Sequence, residues 1–366
     1  LGSCELGPTI TGSVSEIGGD LITQSPQPNI SNTLVGRMTG LLTVQREGEP
    51  GQNETTLRIR GQGTFSGSAE PLVMIDGIEA KNYNNLDPNE IENITVLKDA
   101  SATAVYGVRG ANGVLLITTK RGELGKPKLS ISSNVGFNSM IELKENTSSY
   151  PYALAYNEAL RYNSYTTGTY IPKFTEEDIE HFRTGDDPIF HPDVDWMDLF
   201  FKPTALQTKH NVSISGGTKL IKYFVSAGYF YQEAGFSNEL SELAPGYNAQ
   251  HSYSRYNLRS NFDFNITKRL TASLQLSSQV DRRKGQNTSY LLDKVYNMPP
   301  WPSPGIVDGK IVKVYDIYGG EILEDFLGSG YSLNVNNYLT TSLRFDYSLD
   351  FITPGLKVHS AISYWN

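Results

Sequence analysis

Cysteine is nearly absent from the 366 residues: Cys4 stands alone, so no disulfide can form within this sequence. The five histidines are scattered, and no two share the spacing of a zinc-binding helix. No lysine- and arginine-rich run offsets the net charge of −8, which argues against nucleic acid as a partner. No stretch reaches the ~18 consecutive apolar residues of a membrane helix, so a helical membrane protein is excluded. A transmembrane β-barrel is not, because its strands alternate and average out to low hydropathy. What is present suits that architecture: 22 tyrosines and a modest apolar content of 38% fit strands with one greasy and one wet face.

The chain is longer than a typical single domain, and its grammar changes once. Residues 1–122 read as short β and turn elements rich in glycine. Residues 123–127 (ELGKP) are a Gly/Pro linker, and 128–366 read as long strands of period two. Leu129, Ile131, Val135 and Phe137 alternate with Ser130, Ser132 and Asn134. Tyr256, Leu258, Phe262 and Phe264 oppose Arg255, Asn257, Arg259, Asn261 and Asp263, a face too polar for a protein core and suited to a hydrated lumen. Leu270, Leu274, Leu276 and Val280 repeat the pattern, as do Leu343, Phe345 and Tyr347. Links near 216–220, 267–269 and 353–355 are short, whereas 140–206, 233–251 and 282–337 are long. Such sorting belongs to outer-membrane barrels, with short periplasmic turns and long external loops.

The segment 86–122, LDPNEIENITVLKDASATAVYGVRGANGVLLITTKRG, holds a β-run at 94–97, an Ala-rich helix at 100–106 capped by Asp99 or Ser101, glycine breaks, and a second β-run at 114–119. Upstream lie LRIRG at 57–61 and PLVMIDG at 71–77. Together these motifs resemble the plug of SusC/RagA-type TonB-linked outer-membrane transporters. The resemblance implies a mainly β chain: an N-terminal α+β plug inside a transmembrane antiparallel β-barrel, of which about seven strands are present. It further implies a barrel of about 22 strands, so the sequence is expected to be the first part of a longer protein. A signal, a small β-domain and a TonB-binding box are expected upstream. Import of an oligosaccharide or peptide across the bacterial outer membrane is then the expected function. The implied partners are a SusD-like surface lipoprotein, the TonB–ExbB–ExbD system and outer-membrane lipid. A non-transporting receptor or adhesin on the same scaffold is the alternative.

Local readings of chemistry are weaker. GVRGANG has the glycines of a dinucleotide loop, but its helix precedes and its strand follows, the reverse of what phosphate binding needs. His191, Asp193, Asp195 and Asp198 offer oxygen ligands at spacings of two and three, yet no EF-hand closes; a divalent cation and a solvated acidic turn both remain open. No nucleophile, base and orienting acid assemble from any motif, so neither an enzyme nor a cofactor is expected. Flat rings beside water suit sugars and peptides. In plugs of the resembling family the connecting loops face the substrate, which makes Phe65, Asn82, Tyr83 and Asn84 candidate contacts, with packing as the other reading. Trp196 is open to the same two readings.

Overall fold

The computed structural model describes residues 14–45, 48–59, 61, 70–80, 82–139, 146–286, 291–314, 317 and 321–366. In the first part, strands β1 (Val14–Gly18), β2 (Leu41–Gln45), β3 (Thr55–Ile59), β4 (Leu72–Ile75), β5 (Ile78–Glu79), β6 (Ile91–Leu97) and β7 (Val114–Thr119) make two sheets. One has the order β1-β6-β7-β4-β5, with β4 and β7 parallel; β2 and β3 pair separately. Short helices α1 (Gly19–Thr23) and α2 (Ile30–Thr33) cover them. Their core is Ile22, Ile30, Leu57, Ile94, Val96, Leu115 and Ile117, all from this part of the chain. The Ala-rich segment is helical only as α3 (Ala100–Thr103), continuing as a tighter 3-10 stretch, Ala104–Gly110. Gly107 breaks it with φ of 59°, a conformation that side chains resist. Asp99 caps α3 through its carbonyl, which accepts from Ala102 and Thr103.

The second part is one antiparallel meander of seven strands: β8 (Gly125–Ser139), β9 (Thr204–Gly217), β10 (Ile221–Glu233), β11 (Ser252–Asn265), β12 (Leu270–Gln286), β15 (Tyr331–Ser348) and β16 (Lys357–Trp365). A small hairpin, β13 (Ile306–Val307) with β14 (Lys310–Ile311), lies between β12 and β15. Pairing of β8 with β9 already begins at Gly125, inside the 123–127 range read as linker, and a bulge resets the register at Lys128. Pairing of β12 with β15 runs up to Gln286 and Tyr331, so the third connection is 287–330, narrower than 282–337. The polar residues there obscure the strand in the sequence, but backbone hydrogen bonds need no apolar face.

Long connections alternate with short ones, and all three long ones share a core. Trp196, Met197 and Phe200 of α6 (Trp196–Phe200) meet Leu240 of α7 (Asn238–Glu242), Val295 of α8 (Leu291–Asn297) and Phe326 of α9 (Ile322–Gly328). Phe200 and Phe326 are wholly buried and meet edge to face at 5.3 Å. Each such side chain contributes about 1.5–3 kcal/mol by leaving water, so the three long connections form a folded cap. The first connection also holds α4 (Ser149–Thr167) and α5 (Glu176–Thr184). Thr175 and Asp178 close a reciprocal capping box on α5, and Gly185 ends it in the left-handed region.

Candidate functional site

Alternation gives the seven-stranded sheet two faces. Leu129, Ile131, Val135 and Phe137 stand exposed on the outer one. On the inner one, Arg255, Asn257, Arg259 and Asn261 are buried, with Arg255 only 3% and Arg259 only 4% exposed. This corrects the expectation of a hydrated lumen: the plug covers the polar face and supplies its hydrogen-bond partners.

The contacts form rungs up the wall. Lowest, Arg121 Nη1 donates to Asp263 Oδ1 at 2.7 Å, and Gly122 lies so close to β10 that a β-carbon there would collide with the backbone of Tyr223. Two residues higher, Asn261 Nδ2 donates to Thr119 Oγ1 (3.1 Å) and to the Lys120 carbonyl (2.8 Å). Next, Arg259 Nε donates to Glu90 Oε2 (2.7 Å) while Ser226 Oγ donates to Oε1 (3.1 Å). Above that, Lys209 Nζ stands 3.4 Å from Asp87 Oδ1 and donates to the Gln27 carbonyl. At the same height Arg255 meets five partners: it donates to the Pro28 carbonyl (2.8 Å), the Asn84 carbonyl (3.2 Å), Asn29 Oδ1 (3.0 Å), Tyr253 and Asp281. Burial pushes the Glu90 carboxyl up, and Arg259, by charge and hydrogen bond, pulls it back. A carboxylate so enclosed needs that guanidinium.

Most of the plug's charged contacts with the wall are made by its carboxylates rather than its arginines. Arg109 pairs with Glu79 within the plug. Asp281 is taken by Arg255, and Asp346 by Arg344 and His359. Among the described residues, Asp263 is the one of these three that pairs with a plug arginine, Arg121. The cations mostly stand on the wall and the anions on the plug. The sequence reading saw Arg255 and Arg259 only as members of a polar row; two guanidiniums flanking Asn257 on one inward face were the available signal.

The candidate substrate contacts separate. Phe65 lies outside the described residues. Asn82 is exposed, and its Oδ1 accepts from the Asn84 backbone at 2.9 Å. Tyr83 packs half-buried against the plug core, and burial pushes its phenol well above the ordinary range. Asn84 is buried; its Oδ1 accepts from Ser31 N at 3.1 Å while its carbonyl receives Arg255. Trp196 is 1% exposed in the shared loop core, its Nε1 donating to the Pro299 carbonyl at 2.8 Å, so its ring offers no free face. Asn82, Tyr83 and Asn84 thus lie together beside Arg255, and Trp196 lies apart in the cap.

The acidic stretch after His191 is used locally. Asp193 Oδ1 accepts from Ser149 N at 2.7 Å, and Asp195 caps α6 through Met197 N and Asp198 N. His191 sits between Asp187 (2.9 Å) and Asp178 (3.0 Å) and stacks on His181 at 4.6 Å. Among the described residues no His/Cys/Asp/Glu group is arranged to hold a metal ion.

Comparison with known proteins agrees with this architecture. The model of the TonB-dependent receptor plug domain matches residues 9–114. TonB-dependent receptor P26 of Formosa agariphila is 33% identical over 284 residues, 75% of this chain and 26% of that protein. TonB-dependent receptor SusC of Bacteroides thetaiotaomicron is 34% identical over 229 residues, 60% of this chain and 21% of that protein. The chain therefore spans about a quarter of the length of these curated relatives. Among solved structures, the RagAB peptide transporter superposes with a TM-score of 0.73 at 24% identity, over 97% of this chain and 41% of that one. The siderophore receptor PirA from Acinetobacter baumannii shares the fold, with a TM-score of 0.53 at 16% identity, over 96% of this chain and 39% of that one. A plug packed on the polar face of a partial barrel, with these relatives, makes the chain a member of the SusC/RagA-type TonB-dependent receptors, a family of outer-membrane β-barrels.

Proposed function

We propose that this chain is the plug and part of the barrel of an importer that takes up an oligosaccharide or peptide in a TonB-dependent manner, with a SusD-like surface lipoprotein over its external loops. One observation carries the reading: the plug core is self-contained, and the plug meets the wall through hydrogen bonds and ion pairs. Water can replace such contacts, whereas an apolar interface would lose its burial. A plug of this kind can shift and return without unfolding, which an adhesin would not need. The folded cap of the three long connections supplies a broad external surface for a lid. The RagAB peptide transporter, an assembly of similar fold, favours the two-protein arrangement and makes peptide one of the two substrate classes.

Within this reading Asn82 and Tyr83 offer an amide and a ring to substrate, Asn84 holds their loop in place, and Phe65 is a further candidate contact. The test is growth on oligosaccharide or peptide as sole nutrient, in cells carrying the full-length receptor with Asn82→Ala and Tyr83→Ala. Uptake should fall several-fold at unchanged surface expression. Unchanged uptake would move substrate contact to the external loops. Purification in mild detergent should bring down a lipoprotein, and its absence would count against the lid.

A further inference from the structure

The outward row of β12 changes character at one height. Leu270, Ala272, Leu274, Leu276 and Val280 point away from the plug; Ala272 is in register with Phe264 of β11 and Phe345 of β15, Leu274 with Phe262 and Leu343, and Leu270 with Tyr347. From Leu270 to Val280, at ~3.3 Å per residue on a strand tilted about 40°, the chain climbs roughly 25 Å, the height of the apolar band of an outer-membrane barrel. At the top of that band the rings of His210, Tyr229 and Tyr256 stack side by side across three strands, with centroids 6.3 and 5.0 Å apart. Such a girdle marks the outer headgroup level.

The next two outward positions are Arg282 and Lys284. They line a cleft of about 460 Å³ with Ser254, Tyr247, Tyr331 and Leu333. Tyr247 is fixed there by donating its hydroxyl to the Leu327 carbonyl at 2.6 Å, and its ring lies 5.7 Å from that of Tyr331. Lys284 Nζ rests 5.1 Å over the Tyr331 ring, and neither Lys284 nor Arg282 has a carboxylate partner among the described residues. In a chain of net charge −8, two unneutralised cations beside apolar surface at this height call for an anion. A carboxylate ligand bound for the lumen would have to enter from the opposite face of the sheet.

We propose that Arg282 and Lys284, with Tyr247 and Tyr331, bind the phosphorylated headgroup of an outer-leaflet lipid, whose acyl chains lie along Leu276 and Val280. The guanidinium takes two phosphate oxygens in its fork, the ammonium neutralises a further charge, and the tyrosines meet the sugar or glycerol moiety beside them. The site would fix lipid at the barrel wall directly beneath the cap.

The test uses the full-length receptor in detergent, titrated with bisphosphorylated lipid A, its dephosphorylated form and inorganic phosphate, and read by native mass spectrometry. Bisphosphorylated lipid A should bind saturably to the wild type and at least tenfold more weakly to Arg282→Ala/Lys284→Ala. The exchanged variant Arg282→Lys/Lys284→Arg should retain most of the binding, and Arg282→Gln alone an intermediate level. Equal binding of lipid A by the wild type and the double alanine variant would overturn the proposal. So would equal binding of the phosphorylated and dephosphorylated lipid, or saturable binding of inorganic phosphate at the same affinity. Should the double variant fail to give the compact barrel band on a gel, Arg282→Gln decides by the same criteria.

Discussion

His191 sits between two carboxylates in the first long connection, and its ionisation couples to theirs. Partial burial works against its charge, but the hydrogen bonds to Asp187 and Asp178 prevail and raise its pKa. Asp187 is lowered chiefly by His191; Asp178 is lowered against a burial penalty by Thr175 and His191. The facing groups, His181 with Asp186, belong to the same turn. A raised histidine contributes stability that is complete below its unfolded pKa of about 6.5 and lost as pH rises through the raised value. The lowered aspartates contribute stability present above about 3.9 and lost as pH falls through their folded values. Amide protection of α5, corrected for intrinsic exchange, is therefore expected to peak between about pH 4 and 6.5 and to decline on either side. His191→Asn should flatten that profile; an unchanged profile would show that the cluster does not govern α5.

Strand β12 displays both faces of the wall in adjacent residues. Leu274 faces outward between Phe262 and Leu343, and Gln275 faces inward between Asn261 and Ser342. Leu274→Arg should cost about 2–4 kcal/mol near the midplane of the bilayer, and Gln275→Arg little. Folding of the full-length protein into vesicles, followed by denaturant titration, measures both; equal costs would reverse the assigned faces. This facing was legible in the sequence because period two survives wherever one side meets lipid. The ends of α5 are set locally, since Thr175, Asp178 and Gly185 act within their own turn. The partners of the inward row were not legible: Arg255 meets Pro28 across 227 residues, and Arg259 meets Glu90 across 169. Nothing in the local pattern distinguishes a polar side chain bathed in water from one claimed by a distant carbonyl. Trp196 shows the same limit, because the cap that encloses it draws on three separate connections.

At the level of the whole molecule, a self-contained plug core and a one-layer wall are joined by a polar seam. Removing one partner of a buried pair typically costs about 3–5 kcal/mol, whereas replacing both by apolar groups is often nearly neutral. In planar bilayers the full-length receptor carrying Arg259→Ala should open to ion flow at lower urea concentration than the wild type. The paired change Arg259→Met with Glu90→Leu should recover most of the difference. Equal thresholds for all three would mean that the seam does not hold the plug. The order of the rungs has a mechanical consequence. Arg121, Asn261, Arg259 and Arg255 hold successive heights along one line, so a load applied at either end falls on one rung at a time. The seam then yields as a zipper does, at the strength of its weakest current tooth, while a thermal fluctuation acting on all rungs at once meets their sum. A closure can in this way be firm at rest and yet yield to a modest, directed tug.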